Sequence, residues 1–149
     1  MALAQQIQQD MKEAMRQKDQ AALRALRAIK SAILLAQTDG SSKELDQDAE
    51  IKLLQKLVKQ RRDSIAVYEE QGRDDLASDE KEELAVIEKY LPEAMSEEEL
   101  EALAASIIEK TGASGKADMG KVMGLLGKEV AGRADGKTMA AVVGRLLSR

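Results

Sequence analysis

Apolar residues recur every three or four positions along nearly the whole 149-residue chain, and this spacing is the feature that most constrains the fold. It matches the 3.6-residue turn of an α-helix and places apolar side chains on one face. The residues between them are mostly strong helix formers, and clusters of β-branched residues are rare. We therefore predict an all-α protein.

Helix start and stop signals divide this pattern into seven predicted helices. Asp19 and Asp135 are suited to cap the second and last helices, whereas Gly72 and Gly112 are suited to end the third and fifth. A polar turn is predicted over residues 38–42. The predicted helices cover about residues 2–17, 20–37, 48–71, a fourth that ends near 90, 96–112, 118–131 and a last one after 135.

The single proline marks a predicted domain boundary. Pro92 ends the fourth helix, because the residue before a proline is pushed out of the α-helical conformation. Ser96 and Glu99 then form a capping-box pattern that opens the fifth helix. We predict an N-terminal helical bundle over residues 1–92 and a small C-terminal helical domain over residues 93–149.

Missing residue types exclude most catalytic chemistry. The chain has no histidine and no cysteine, which removes histidine-based dyads, thiolate nucleophiles, disulfides and the commonest zinc ligands. We therefore predict no catalytic residue, no metal site and no cofactor. Tyr68 and Tyr90 are the only aromatic residues, so base-stacking platforms cannot be built. Any RNA contact must be made to backbone and shape.

Charge and hydropathy suggest a location and exclude some partners. No apolar run approaches the roughly 20 residues that span a bilayer, and the N-terminus is amphipathic and contains acidic residues, unlike a leader peptide. We expect a cytoplasmic protein without a membrane partner. A net charge of −4 argues against coating of nucleic acid, and we expect no DNA partner.

The predicted third helix has a basic face, which forms a secondary candidate site. Its basic residues are Lys52, Lys56, Lys59, Arg61 and Arg62. The three lysines lie opposite the apolar stripe and could hold phosphates. We favour the alternative of a solvent-exposed face paired with the acidic fourth helix. Arg61 falls within the apolar stripe, so we expect a snorkelling or paired side chain there.

Two segments resemble ligand-binding loops without meeting their requirements. Residues 132–138 resemble a phosphate-binding loop, but only three residues separate the glycines where four are needed, and no strand precedes them. A capped turn between helices is favoured. Asp46, Asp48 and Glu50 resemble the start of a calcium loop, yet Ile51 stands where the turn needs glycine. An acidic N-terminal cap for the third helix is favoured.

The predicted sixth helix has an unusual row of glycines. Gly120, Gly124 and Gly127 flank its apolar stripe, and Lys121 and Lys128 lie almost opposite that stripe. Each glycine costs about 1 kcal/mol relative to alanine in a helix interior. Close approach of another helix, the explanation we favour, or of a ligand backbone would account for this cost.

The ligand explanation predicts a flat surface on which a sugar–phosphate backbone rests. Residues 113–149 carry seven basic and three acidic side chains, so this part of the chain is locally basic. The predicted binding residues are Gly120, Lys121, Gly124, Gly127, Lys128, Gly132, Arg133 and Lys137.

Several motifs resemble a known family. The sequence MGKVMG at 119–124 followed by GRADG at 132–136 resembles the tail domain of the B subunit of tRNA-dependent amidotransferases. KQRRDSI at 59–65, GR at 72–73, DLA at 75–77 and YLP at 90–92 are similar to the free-standing YqeY family. Together these motifs extend over nearly the whole chain.

The resemblance implies a helical bundle followed by a smaller tail domain. In the amidotransferase the similar tail grips the elbow of tRNA, while catalysis takes place in other domains that have no counterpart here. Arg133 stands where lysine is usual, and Asp135 and Gly136 replace a common Asn-Pro. A shared fold does not transfer an activity.

Three functional hypotheses follow. The first is a tRNA-binding or tRNA-associated accessory protein, acting beside an amidotransferase or an aminoacyl-tRNA synthetase. The second is an adaptor that binds a partner protein without RNA. The third, a carbon–nitrogen ligase with glutamine as amido donor, ranks last, because the sequence supplies neither a nucleophile nor a base for it.

Overall fold

The computed structural model describes residues 2–38 and 45–148, and within these ranges it contains helices and no strand. The predicted all-α class is confirmed. Residues 39–42 of the predicted polar turn lie outside the described residues. A short 3₁₀ turn, Lys116–Asp118, leads into α6. The helices are α1 Leu3–Gln17, α2 Gln20–Gln37, α3 Gln47–Glu70, α4 Asp74–Glu88, α5 Glu97–Thr111, α6 Met119–Val130 and α7 Gly136–Leu147.

Local capping explains why most helices start and end where the sequence predicts. Four side chains accept a hydrogen bond from the backbone N–H three residues later, at 2.7–3.1 Å: Asp19, Asp46, Ser96 and Asp135. Gly72 and Gly112 have φ angles of +71° and +68°, just after α3 and at the end of α5. The left-handed conformation they adopt is the usual one for glycine after a helix.

The predicted capping box at the start of α5 forms only in part. The Ser96 hydroxyl accepts from the Glu99 N–H at 3.1 Å. The Glu99 carboxylate does not return the bond to Ser96; it lies 3.4 Å from the Arg133 guanidinium. A carboxylate forms a stronger hydrogen bond with a charged guanidinium than with a neutral backbone N–H, which explains why Glu99 contacts Arg133 and not the Ser96 N–H.

Residues 1–91 form one compact unit, built from α1 to α4. Each helix supplies a side chain that is at most 1% exposed to its core: Ile7, Ile29, Leu54 and Ile87. The Tyr90 hydroxyl donates a hydrogen bond to the Asp10 carboxylate and so fastens the end of α4 to α1. Burial, together with this hydrogen bond, raises the pKa of Tyr90.

Residues 92–149 form a second compact unit, in which α5, α6 and α7 share a core. Leu100, Leu126 and Val143 are at most 1% exposed there. Two ion pairs join the end of α7 to the start of α5, where Arg145 lies 3.5 Å from Glu97 and 3.4 Å from Glu101. Independent folding of the two units stays a prediction.

Candidate functional site

The three glycines of α6 lie on an open side of the helix. Gly120 and Gly124 are exposed and Gly127 is partly exposed. A Cβ atom added at each of them would meet no neighbouring atom within 4 Å. No other described helix therefore needs these positions to be small, and the helix-packing explanation that we favoured is wrong over residues 2–38 and 45–148. We call this surface the glycine face.

Three lysines of the C-terminal unit are available for binding, two on α6 and one on α7. Lys121, Lys128 and Lys137 are exposed, and none of them forms an ion pair with a described residue. Both helices are fixed by buried side chains, since Val122 and Leu126 of α6 and Val143 of α7 are completely buried. The C-terminal unit thus presents unpaired positive charge on a fixed scaffold.

Arg133 and Gly132 have structural roles that the sequence did not indicate. The Arg133 Nε donates to the Glu93 carbonyl oxygen at 3.0 Å, and its guanidinium also contacts Glu99. The Arg133 carbonyl accepts from the Met95 N–H at 2.7 Å. Arg133 therefore holds the segment that leads into α5. Gly132 has a φ of +86°, so its backbone conformation accounts for the glycine there.

The segment over residues 132–138 is a capped turn, as favoured. Asp135 accepts from the Thr138 N–H at 2.7 Å and begins α7. The four cations among the predicted binding residues thus fall into two groups. Lys121, Lys128 and Lys137 extend into solvent, whereas the Arg133 side chain is engaged within its own unit.

The basic residues of α3 also differ in whether they form ion pairs. Arg61 and Arg62 pair with Glu80 and Glu88 of α4, at 3.6 and 3.3 Å. Lys59 pairs with Asp63 of its own helix at 3.1 Å, and not with α4. The remaining two members are exposed and form no ion pair with a described residue: Lys52 and Lys56. The favoured pairing with α4 thus holds for the arginines alone.

Arg61 is the most buried cation of this face, as its place in the apolar stripe predicted. Its side chain is 17% exposed, and its Nε has no hydrogen-bond partner. Burial raises the pKa of the nearby Glu83 carboxyl, and the charge of Arg61 opposes this shift. Arg61 therefore lies within a carboxylate cluster between α3 and α4, where a phosphate would be repelled.

The described residues contain neither a metal-binding cluster nor a membrane span. Over residues 2–38 and 45–148, no three acidic side chains converge in a way that could hold a metal ion. In the same ranges, no helix combines the length and the apolarity that crossing a bilayer requires.

Comparison with known proteins agrees with the motifs. A family model described as Yqey-like protein matches residues 4–147. Three curated relatives share the name altered inheritance of mitochondria protein 41, mitochondrial. The relative from Meyerozyma guilliermondii is 35% identical over 83% of this chain and 66% of its own length. Those from Pyrenophora tritici-repentis and Candida glabrata are 34% and 40% identical, over 86% and 58% of this chain.

The relatives are longer proteins, and their names correct one expectation. The matched region spans 71% of the Pyrenophora protein and 48% of the Candida protein. All three are named mitochondrial proteins, which contradicts the cytoplasmic location that we expected. That expectation rested on the lack of a long apolar run and on an N-terminus unlike a leader peptide.

Proposed function

This chain belongs to the Yqey-like protein family, and from that premise we propose that its C-terminal unit binds the sugar–phosphate backbone of tRNA. The protein would act as an accessory factor beside an amidotransferase or an aminoacyl-tRNA synthetase. The observation that carries the proposal is the open glycine face of α6. The resemblance of residues 119–136 to the tail of the amidotransferase B subunit supports the choice of tRNA.

The glycine face suits a nucleic-acid backbone for steric and electrostatic reasons. The three glycines cost about 2 to 3 kcal/mol of helix stability relative to alanine, and no packing within the described chain requires them. Without side chains in the way, a phosphate chain can approach the helix backbone closely. Lys121 and Lys128 lie beside the face and supply the positive charge that phosphates require.

The expected binding is weak, dependent on salt and nearly independent of sequence. Each lysine that neutralises a phosphate contributes about 0.7 to 0.9 to the salt slope, the slope of log affinity against log salt. Lys121, Lys128 and Lys137 would together give a slope of roughly −2 to −3. The chain has no phenylalanine or tryptophan, so base stacking contributes little specificity.

The experiment that tests the proposal is a tRNA titration at two ionic strengths. Replacing both Lys121 and Lys128 with alanine should lower the magnitude of the salt slope by about one to two units. The matched control replaces Lys12 and Lys89, two exposed lysines of the N-terminal unit that form no ion pair with a described residue, and should leave the slope unchanged. Absence of wild-type binding at low salt would end the RNA hypothesis for the isolated protein.

A substitution in the glycine face separates RNA binding from the adaptor hypothesis. Gly124→Leu adds bulk without removing charge, so it should weaken tRNA binding at every salt concentration. A partner helix would also fit this face, because Gly120 and Gly124 have the spacing that allows close helix contact. In that case Gly124→Leu should abolish binding of a protein partner, and the lysine substitutions should have little effect.

We propose no enzymatic activity for the isolated protein. No nucleophile–base pair and no phosphate loop can be assembled from its sequence. Purified protein should therefore hydrolyse neither glutamine nor ATP. Turnover that persists through repurification and disappears on a single substitution would restore the ligase hypothesis.

A further inference from the structure

The outer face of α2 exposes two leucines next to two cations. Leu34 and Leu35 are 52% and 73% exposed, and Arg27, Lys30 and Ser31 beside them are also exposed. The opposite side of α2 is fully packed against the rest of the N-terminal unit. We call these five residues the α2 outer face.

Helical geometry makes this face continuous. Lys30 precedes Leu34, and Ser31 precedes Leu35, by one turn of four residues, so each pair is adjacent on the surface. The helix is fixed from within, since Ala25 and Ile29 on its other side are 0% exposed. The leucines therefore cannot turn inward without breaking the core.

The cations of the face are unpaired, unlike their neighbour one turn away. Arg24 lies 3.2 Å from Glu82 and 3.9 Å from Asp79 of α4. Arg27 and Lys30 form no ion pair with a described residue. The α2 outer face thus combines exposed apolar area with positive charge that the described chain does not neutralise.

We propose that the α2 outer face docks an acidic amphipathic helix of another protein. Apolar side chains of that helix would cover Leu34 and Leu35, and its carboxylates would meet Arg27 and Lys30. This arrangement follows the usual pattern of a helix interface, in which buried apolar anchors are flanked by charged pairs. The inference is independent of tRNA binding, which involves the other unit.

Charge and apolar area together favour a protein partner. An RNA backbone would leave Leu34 and Leu35 exposed, because phosphates offer no apolar surface to cover them. Self-pairing of two such faces about a twofold axis would bring Arg27 and Lys30 against the same cations. An acidic, partly apolar helix satisfies both features of the face.

Two synthetic helical peptides provide the test. Both have leucine along one side, and the remaining positions are glutamate in one peptide and lysine in the other. Fluorescence anisotropy should show that the wild-type protein binds the glutamate peptide and not the lysine peptide. Leu35→Gln should weaken this binding about tenfold, because a leucine anchor loses its apolar contact. Joint replacement of Arg27 and Lys30 by glutamate should reverse the preference.

The matched control is Leu125→Gln, which changes a leucine that is 40% exposed on α6 and should leave peptide binding unchanged. Failure to bind the glutamate peptide, equal binding of both peptides, or insensitivity to Leu35→Gln would overturn the proposal. So would a dimer that Leu35→Gln dissociates in sedimentation, or binding to phosphatidylglycerol vesicles that requires Leu35. Titration of tRNA with the α2 variants should match wild type, which keeps this proposal separate from the first.

Discussion

The two compact units differ in whether their helices contain glycine. The described part of the N-terminal unit has one glycine, Gly72, and its positive φ after α3 requires that residue. The C-terminal unit places Gly120, Gly124 and Gly127 inside α6 and Gly144 inside α7, where a Cβ would meet nothing within 4 Å. The N-terminal unit thus has the sequence expected of a stable scaffold, whereas α6 gives up stability that no described contact restores.

Arginines facing α4 in the N-terminal unit and the two lysines of α6 also differ in their ion pairs. In the N-terminal unit, Arg24, Arg61 and Arg62 pair with carboxylates of α4. In the C-terminal unit, Lys121 and Lys128 of α6 form no ion pair with a described residue. We proposed the functional surface on α6 because this helix combines glycines that no described contact requires with lysines that form no ion pair to a described residue.

The largest expected effect tests whether the units are separable at all. Ile29→Ala in the first unit and Leu126→Ala in the second each remove a side chain that is 0% exposed. Each should lower the free energy of unfolding of its own unit by about 3 kcal/mol. Hydrogen exchange should show lost protection within residues 1–91 for the first variant and within 92–149 for the second. Equal loss in both units would mean a single cooperative domain.

The next effect concerns the glycine face directly. Joint replacement of Gly120, Gly124 and Gly127 by alanine should raise the free energy of unfolding of the C-terminal unit by about 2 to 3 kcal/mol. Space is available for each methyl group. The same variant should bind tRNA more weakly if a backbone approaches this face. Thermal unfolding measures the expected gain in stability, and the tRNA titration measures the expected loss of affinity.

The matched control lies in the other unit. Gly72→Ala should destabilise the N-terminal unit by about 1 kcal/mol, because its φ of +71° is unfavourable for alanine. If the three α6 substitutions also destabilised the protein, the glycine face would be packed in solution and the contrast between the units would fail.

A smaller effect is expected at the end of α4, where Tyr90 donates to Asp10. Tyr90→Phe should lower the free energy of unfolding of the N-terminal unit by about 1.5 kcal/mol, because a hydrogen bond to a charged group is lost. The pKa of Tyr90 is raised in the folded protein, so the unfolded chain, in which tyrosine has its ordinary pKa near 10, loses this proton at a lower pH. Wild-type stability should therefore fall as pH rises past 10. This part of the decline should be absent in the variant.

The sequence predicted the helices well because their signals are local. Asp19 and Asp135 act within three residues of themselves, and these caps could be identified without knowing the fold. The engagement of Arg133 with Glu93 and Glu99 could not, because it depends on segments more than 30 residues apart. The same limit applies to α6. Spacing placed the three glycines on one side, and only the packed structure shows that no described helix approaches them.

The smallest effect sharpens the comparison at the helix ends, where both units have a residue other than glycine in the left-handed conformation. Lys18 ends α1 with a φ of 57°, and Ala131 ends α6 with a φ of 50°. Such residues are strained by roughly 1 to 2 kcal/mol, and part of the relief that glycine gives is offset by the greater freedom of the unfolded chain. Lys18→Gly and Ala131→Gly should therefore each stabilise their own unit by about 1 kcal/mol in thermal unfolding. Comparing the two variants is informative because α6 is the reverse of what stability favours. It has glycine within the helix, where alanine would be more stable, and Ala131 at its end, where glycine would be more stable. If Lys18→Gly stabilises the protein and Ala131→Gly does not, α6 ends in another conformation in solution, and the turn that positions Arg133 must be reconsidered.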